Sequence, residues 1–460
     1  MGSTLENAYT DIFTEPDDSI FSDGSIDPLG LRMIWTSLGN KIFQNRLNTI
    51  STNIRFYTIN LFHHALIQAL AEQYEEKIVN LTGKTPYDNR TDLYDGIIIF
   101  LECLLDHVMA GQDLEEGEGA FPGVSKLRGI LRNDPTSKTA TQLRVDRKAG
   151  ILVRHILLGI HGRHKGPFQQ MHILAKGDNY YADRLLWKGV RQIFKPKAWN
   201  DLLERLLEVI HDHVLEKKPR GDNPIHVKLA DVIDAPLVSL YSRAFLQSEN
   251  FKTPAMIRFW EDRLGLADEG ATAGIIYGHI RQKQGETHFQ DALRDLTRQY
   301  PQQEELRAIS AIEPLLASIQ KVMNRLLHRG VSGLDADIRS FIRHHLTNPS
   351  IRLDAISPFL TDALFNAEAK NRITKMMVIW QECTNPVQED LFAQKLIDFH
   401  HTIMKQRGNL PWISISLSGS ITQHRSFHIT GSGLNELRSY DWVNDYYLKT
   451  VISLYLGLHK

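Results

Sequence analysis

Histidine is the residue this chain offers most freely for chemistry, with twenty copies among 460 residues. Glu208-Val209-Ile210-His211 has the Glu-x-x-His spacing that sets a carboxylate and an imidazole on one helix face. Carboxylate-bridged metal sites use that spacing, but they need a second copy on another helix and further carboxylates. No second copy is present, so a polar helix face through Asp212 and His213 explains the segment more simply. The pairs His63-His64, His344-His345 and His400-His401 fall side by side in sequence. Adjacent residues of a helix diverge in direction, so each pair is expected to split into one inward and one outward ring.

Other reactive combinations are incomplete. Glu216-Lys217-Lys218 contains the Glu-x-Lys of many metal-dependent nucleases, but at a helix end and with no clear partner aspartate on a strand. A Gly-x-x-x-x-Gly-Lys-Ser/Thr loop, a Gly-x-Gly-x-x-Gly after a strand, His-Glu-x-x-His and Cys-x-x-Cys are all missing. Gly431-Ser432-Gly433 lacks the spacing of a nucleophile elbow. With no convincing catalytic motif, no cofactor and no metal are expected.

Charge carries the stronger signal. Between Lys126 and Lys197 lie sixteen Lys or Arg residues against Asp134, Asp146, Asp178 and Asp183. This local excess of twelve positive charges sits in a chain whose net charge is −1, so the remainder carries about thirteen excess negative charges. Lys126, Arg128 and Arg132 share one short helical segment, and Arg144, Arg147, Lys148 and Arg154 flank another. Gly159 to Gly166 reads as a glycine-rich basic loop whose amides can approach an anion while Arg163 and Lys165 neutralise it. Phosphate contacts use such groups. These nine residues are the expected nucleic-acid-binding set, with DNA as the partner. Contacts to the chain's own acidic loops, to an acidic partner subunit or simply to solvent are the alternatives. Phe168, Tyr180, Tyr181 and Trp187 lie within the block; they could stack on bases, but aromatics at that density more often belong to a core.

The elements that must hold these groups are mainly helical. Asn53–Lys77 is apolar with a period near 3.6, Asp92–Met109 is apolar on most sides, and Pro196–Glu216 presents one apolar face. Pro314 is expected to divide the helix over 301–328. Asn385-Pro386-Val387-Gln388 reads as a cap, a first-position proline and a capping-box partner. Trp412–Leu417 and Ile421–Thr430, joined by Ser418-Gly419-Ser420, predict a small β-hairpin, and Asp441–Leu458 a closing amphipathic helix. The expected fold is therefore a multi-domain, mainly α protein with that hairpin near the C-terminus. Its divisions are an acidic leader over 1–27, a helical domain over 28–220 that contains the basic block, a second over 221–410, and a hairpin with a closing helix over 411–460. Gly111–Gly123 is expected to be an acidic exposed loop.

Composition bounds the class. At 42% hydrophobic and 23% charged the chain can bury a core, and its length suits two to four domains of roughly 100–200 residues. Only Cys103 and Cys383 are present, as expected of a reducing compartment. Residues 1–27 lack a basic segment leading into an apolar one, so no signal peptide is expected. The run Gly96–Leu105 is far shorter than the roughly 20 residues a membrane span needs. No membrane association and a cytoplasmic location are the expectations.

Several phrases resemble bacterial accessory proteins found with antiviral defence systems. They are Asp27-Pro28-Leu29-Gly30-Leu31-Arg32, the Gly159–Phe168 segment, Gly408-Asn409-Leu410-Pro411-Trp412 and Asn444-Asp445-Tyr446-Tyr447. The resemblance implies a non-enzymatic, DNA-engaging or scaffold subunit of a prokaryotic complex, beside an ATPase, helicase or nuclease partner that restricts foreign DNA. It carries no catalytic residue across. A divergent metal-dependent nuclease and a purely structural protein–protein scaffold are the competing readings.

Overall fold

A computed structural model describes all residues except 1–26, 48–51, 84–91, 113–120, 134–141, 153, 178, 218–224, 417 and 427–430. The acidic leader, most of the Gly111–Gly123 loop, Lys218 and the end of the Ile421–Thr430 strand fall outside the described residues. Helices hold 66% of the structure, and two short antiparallel strand pairs are the only sheets among the described residues. The mainly α expectation and the C-terminal hairpin both hold. No described helix is long and apolar enough to cross a membrane.

The contacts divide the chain into two compact units, one formed by 1–39 with 293–446 and the other by 40–292 with 447–460. Helix α1 (Arg32–Phe43) spans the first division. The second unit continues with α2 (Ile54–Gln73), α3 (Glu75–Thr82), α4 (Asp92–Ala110), α5 (Val124–Asn133), β1 (Gln142–Val145), α6 (His155–Leu158) and α7 (Ile160–Gln170). Next come α8 (Arg184–Ile193), α9 (Lys197–Ile210), β2 (Ile225–Lys228), α10 (Ala235–Phe245), α11 (Pro254–Arg263) and α12 (Thr272–Gln282).

Helix α2 is the axis of this unit and packs on α3, α4, α7, α8 and α9. Asn53 caps it by accepting from the Arg55 amide at 2.9 Å. Its sequence is not amphipathic in the usual sense. Thr58, Asn60, His63, His64 and Gln68 are buried together with its leucines and isoleucines. A helix enclosed on every side must bury polar groups too, and most such groups find partners. His63 and His64 are both fully buried, against the expected split. The pairs at 344–345 and 400–401 do split, with His345 and His400 buried and the neighbouring ring partly exposed.

Helix α13 (Phe289–Gln299) spans the second division, after which the first unit resumes. It contains α14 (Glu304–Leu326), α15 (Ala336–Leu346), α16 (Leu353–Ile356), α17 (Ala367–Thr384), α18 (Glu389–Gln406), β3 (Ile413–Ile415), β4 (Ile421–Gln423) and α19 (Gly431–Arg438). Strand β3 pairs antiparallel with β4, Ile413 opposite Gln423. Helix α14 is central here, packed on α15, α16, α17, α18 and α19. It runs through Pro314 without a break, contrary to expectation. An interior proline costs about 3 kcal/mol, and burial of most of the helix around it offsets that cost. Helix α18 starts at Glu389 with Gln388 at its cap position, so Asn385-Pro386 belongs to the preceding connection. The chain closes in the second unit with α20 (Leu448–His459). That helix starts seven residues later than its sequence pattern suggests, because Tyr446 and Tyr447 take left-handed backbone geometry.

Candidate nucleic-acid interface

Strand β1 of the basic block and strand β2 beyond it form one exposed face. They pair antiparallel, Leu143 with Val227, Arg144 with His226 and Val145 with Ile225. Side chains alternate across a strand, so Leu143, Val145 and Val227 are buried and Arg144, His226 and Lys228 face outward. Lys217 joins β2 by donating to the His226 carbonyl at 2.8 Å. The turn after β1 adds Arg147 and Lys148, both exposed. Two carboxylates offset this charge: Asp146 accepts from Arg144 Nε at 2.8 Å, and Asp95 lies 2.7 Å from Arg147 Nε. The side chains of Lys148 and Lys228 have no ion pair among the described residues.

On α5, Val124 and Leu127 face inward and the cations divide by role. Lys126 Nζ donates to the Ile151 carbonyl at 2.6 Å, tying α5 to the segment before α6. Arg128 donates to the Gln112 carbonyl at 3.0 Å and reaches that of Met109 at 3.4 Å. It satisfies the carbonyl end of α4, where a cation is favoured. Arg132 is exposed and carries no ion pair among the described residues; Arg154, which precedes α6, is likewise exposed and unpaired.

The Gly159–Phe168 segment is not a loop. It is the N-terminal part of α7, and its first amides already hold an anion of the same chain. Glu102, buried on α4, accepts from the Ile160 amide at 2.9 Å and the His161 amide at 2.7 Å. His155 Nε2 donates to the same carboxylate at 3.0 Å. Its ring can do so because Nδ1 accepts from the Leu152 amide at 3.3 Å. Burial opposes ionisation of Glu102, but the hydrogen bond and charge of His155, the His161 amide and nearby His63 together hold its pKa down. Gly159 is needed for this contact, since a Cβ there would lie 2.1 Å from Glu102 Oε2.

Behind Glu102 lies a network of buried rings. His64 Nε2 meets His161 Nδ1 at 3.0 Å, and His64 Nδ1 meets the Tyr181 hydroxyl at 2.9 Å. His164 Nδ1 donates to the Ile160 carbonyl at 2.7 Å. Burial pushes His63, His161 and His164 down to about 4, and His64 also down, so all four are neutral at pH 7. Neither ring nitrogen of His63 has a hydrogen-bond partner among the described residues. No group of three or more ligating side chains among the described residues is arranged to hold a metal. The enclosed network orients α7 and offers no reacting atom to solvent.

Arg163 and Lys165 face outward from α7 but are engaged locally. Arg163 Nε donates to the Leu158 carbonyl at 2.9 Å, and Lys165 Nζ lies 5.3 Å from the Tyr180 ring centroid. Phe168, Tyr180, Tyr181 and Trp187 are buried, so they belong to the core rather than to a stacking platform.

The remaining motif lies after α9, where His211–Leu215 forms a π-helical turn closed by the Glu216 amide on the His211 carbonyl at 3.0 Å. Glu216 accepts from Lys77 Nζ, and His211 donates from Nδ1 to Asp212 at 2.7 Å. Glu208 pairs instead with Arg205 at 3.2 Å, so Glu208 and His211 are not brought together. Strand β2 went unread in the sequence, although Ile225-His226-Val227-Lys228 alternates directly after a proline. Its contribution of His226, Lys228 and neighbouring Lys217 was missed with it. No family model matches the chain, and no similar curated protein or solved structure was found.

Proposed function

We propose that this chain is a non-enzymatic, DNA-engaging subunit of a prokaryotic multiprotein complex, serving antiviral defence beside an ATPase, helicase or nuclease partner in the cytoplasm. The supporting observation is the outward face of β1–β2 and its flanking turn. Arg144, Lys148, His226 and Lys228 stand there with Lys217, and Asp95 and Asp146 offset only part of the charge. Such a face fits phosphates rather than base edges, and it predicts affinity without sequence preference. The partner and the defence role rest on the resemblance of the four sequence phrases.

A salt titration of duplex-DNA binding tests the reading. The slope of log affinity on log salt should be about −0.9 per phosphate neutralised. Replacing Lys148 and Lys228 together by alanine should flatten it by about two units without loss of stability, because neither side chain has an ion pair among the described residues. An unchanged slope with an intact fold would end the proposal for this face. Metal-dependent cleavage abolished by Glu216→Ala would replace it with the nuclease reading.

A further inference from the structure

Helix α6 is a single turn, and its tip exposes two adjacent leucines, Leu157 at 60% and Leu158 at 48%. Isolated apolar side chains on a surface need no explanation, but these two are held firmly in place. The Leu157 and Leu158 amides donate to the Arg154 carbonyl at 2.9 and 3.2 Å, and the Gly159 amide donates to the His155 carbonyl at 2.7 Å. His155 is fixed between Glu102 and the Leu152 amide. Gly162 packs so closely beneath the tip that a Cβ there would lie 2.3 Å from the Leu157 carbonyl oxygen. Cations flank the pair on both sides. Arg154 begins the turn, Arg163 binds the Leu158 carbonyl, and Lys126 binds the Ile151 carbonyl just upstream.

We infer that Leu157 and Leu158 form an apolar wedge that enters a base-pair step of duplex DNA and bends it. The inference rests on the DNA-binding reading and adds a mode of engagement to it. Proteins that kink DNA place aliphatic side chains between base steps while nearby cations hold the phosphates. Insertion requires a tip that keeps its shape, since ordering a loose one on binding costs entropy. Two side chains suit a single step, and they are too few for a lipid or protein surface, which buries broader apolar areas. The phosphate contacts carry no sequence preference of their own, and the wedge adds one for flexible pyrimidine–purine steps, which unstack most easily.

The test uses the full chain and a duplex of about 30 base pairs carrying a fluorophore at each end, with one central TA step. The wild-type protein should shorten the end-to-end distance as a bend of roughly 20–90° would. Leu157→Ser with Leu158→Ser should abolish the bend and weaken binding by about tenfold per leucine, with the salt slope unchanged. Leu157→Phe should keep the bend. A straight duplex in a wild-type complex of normal salt slope would overturn the wedge and leave the DNA reading standing. Absence of any salt-dependent binding would overturn both. Phosphatidylserine vesicles captured by the wild type and lost by the double serine variant, with DNA bending unaffected by it, would assign the leucines to a membrane and also overturn the wedge.

Discussion

Each unit buries a glutamate against backbone amides, Glu102 in the second and Glu313 in the first, and these two behave in opposite ways. Glu102 in the second unit meets two amides of α7 and the ring of His155. Glu313 in the first unit accepts from Trp35 Nε1 and the Tyr446 hydroxyl at 2.7 Å, and from the Val443 and Asn444 amides at 2.8 and 3.0 Å. Both are fully buried. Burial raises the pKa of Glu313, and its four hydrogen bonds only moderate the rise. Glu102 has fewer donors but a lowered pKa. The difference lies in the kind of donor. The start of a helix and the imidazole of His155 favour the ion more than phenol, indole and loop amides do. Counting hydrogen bonds does not reveal the charge state of a buried acid.

Replacing each acid by its neutral isostere gives the largest expected contrast. Glu102→Gln sets an amide NH2 against N–H donors and removes the charge that α7 is built around, so it should cost about 3–5 kcal/mol in urea denaturation. Glu313→Gln mimics the protonated acid toward which burial already pushes the group, and should cost about 1–2 kcal/mol. Equal losses would break the comparison.

Acid should act next, and more heavily on the second unit, because among the described residues the first has only His345 lowered to about 4. His63, His161 and His164 have folded pKa values near 4, below the unfolded value of about 6.5. The unfolded chain therefore binds more protons between those limits. Stability is full above about 6.5 and is lost as pH falls toward 4, at most about 3 kcal/mol for one ring. Glu313 has the opposite sign, since its folded pKa lies above the unfolded one. Its contribution is full below the unfolded pKa and is lost as pH rises through the folded value. Hydrogen exchange should show α2 and α7 losing protection on acidification, with the segment around Glu313 gaining rather than losing by this group.

Glycines sharpen the comparison at smaller scale. Gly159→Ala would press a methyl group against Glu102 Oε2 and should cost about 1–3 kcal/mol. Gly189→Ala, inside α8 with open space around it, should stabilise by about 0.5–1 kcal/mol in thermal or urea unfolding.

Local signals made much of the fold legible. The apolar runs around Asp92–Met109 and the alternation after Trp412 are short-range patterns, and α4 and β3–β4 follow them. Pro314 misled because local propensity yields to the five helices packed around α14. His63-His64 misled because the expected split assumes a helix with a solvent side, which α2 lacks. At the candidate site the cations were plain in the sequence, but their internal partners were not. Glu102, Asp95 and β2 come from distant segments that only the fold brings to α7, Arg147 and β1. Three glycines beside basic residues are consistent with an external anion or an internal one, and nothing in 159–166 distinguishes them.

The π turn at His211–Leu215 acts as a one-residue insertion in the helix that begins with α9. Each residue advances a helix by about 100°, so everything after the turn is rotated by that amount relative to a continuous α-helix. The rotation brings Glu216 to Lys77, off the phase set by Glu208. Deleting one residue there, such as Asp212, should rewind the segment into phase with α9 and swing the carboxylate away from its lysine. In this chain the reading frame of a helix face is set by a local change of winding as much as by the order of its residues.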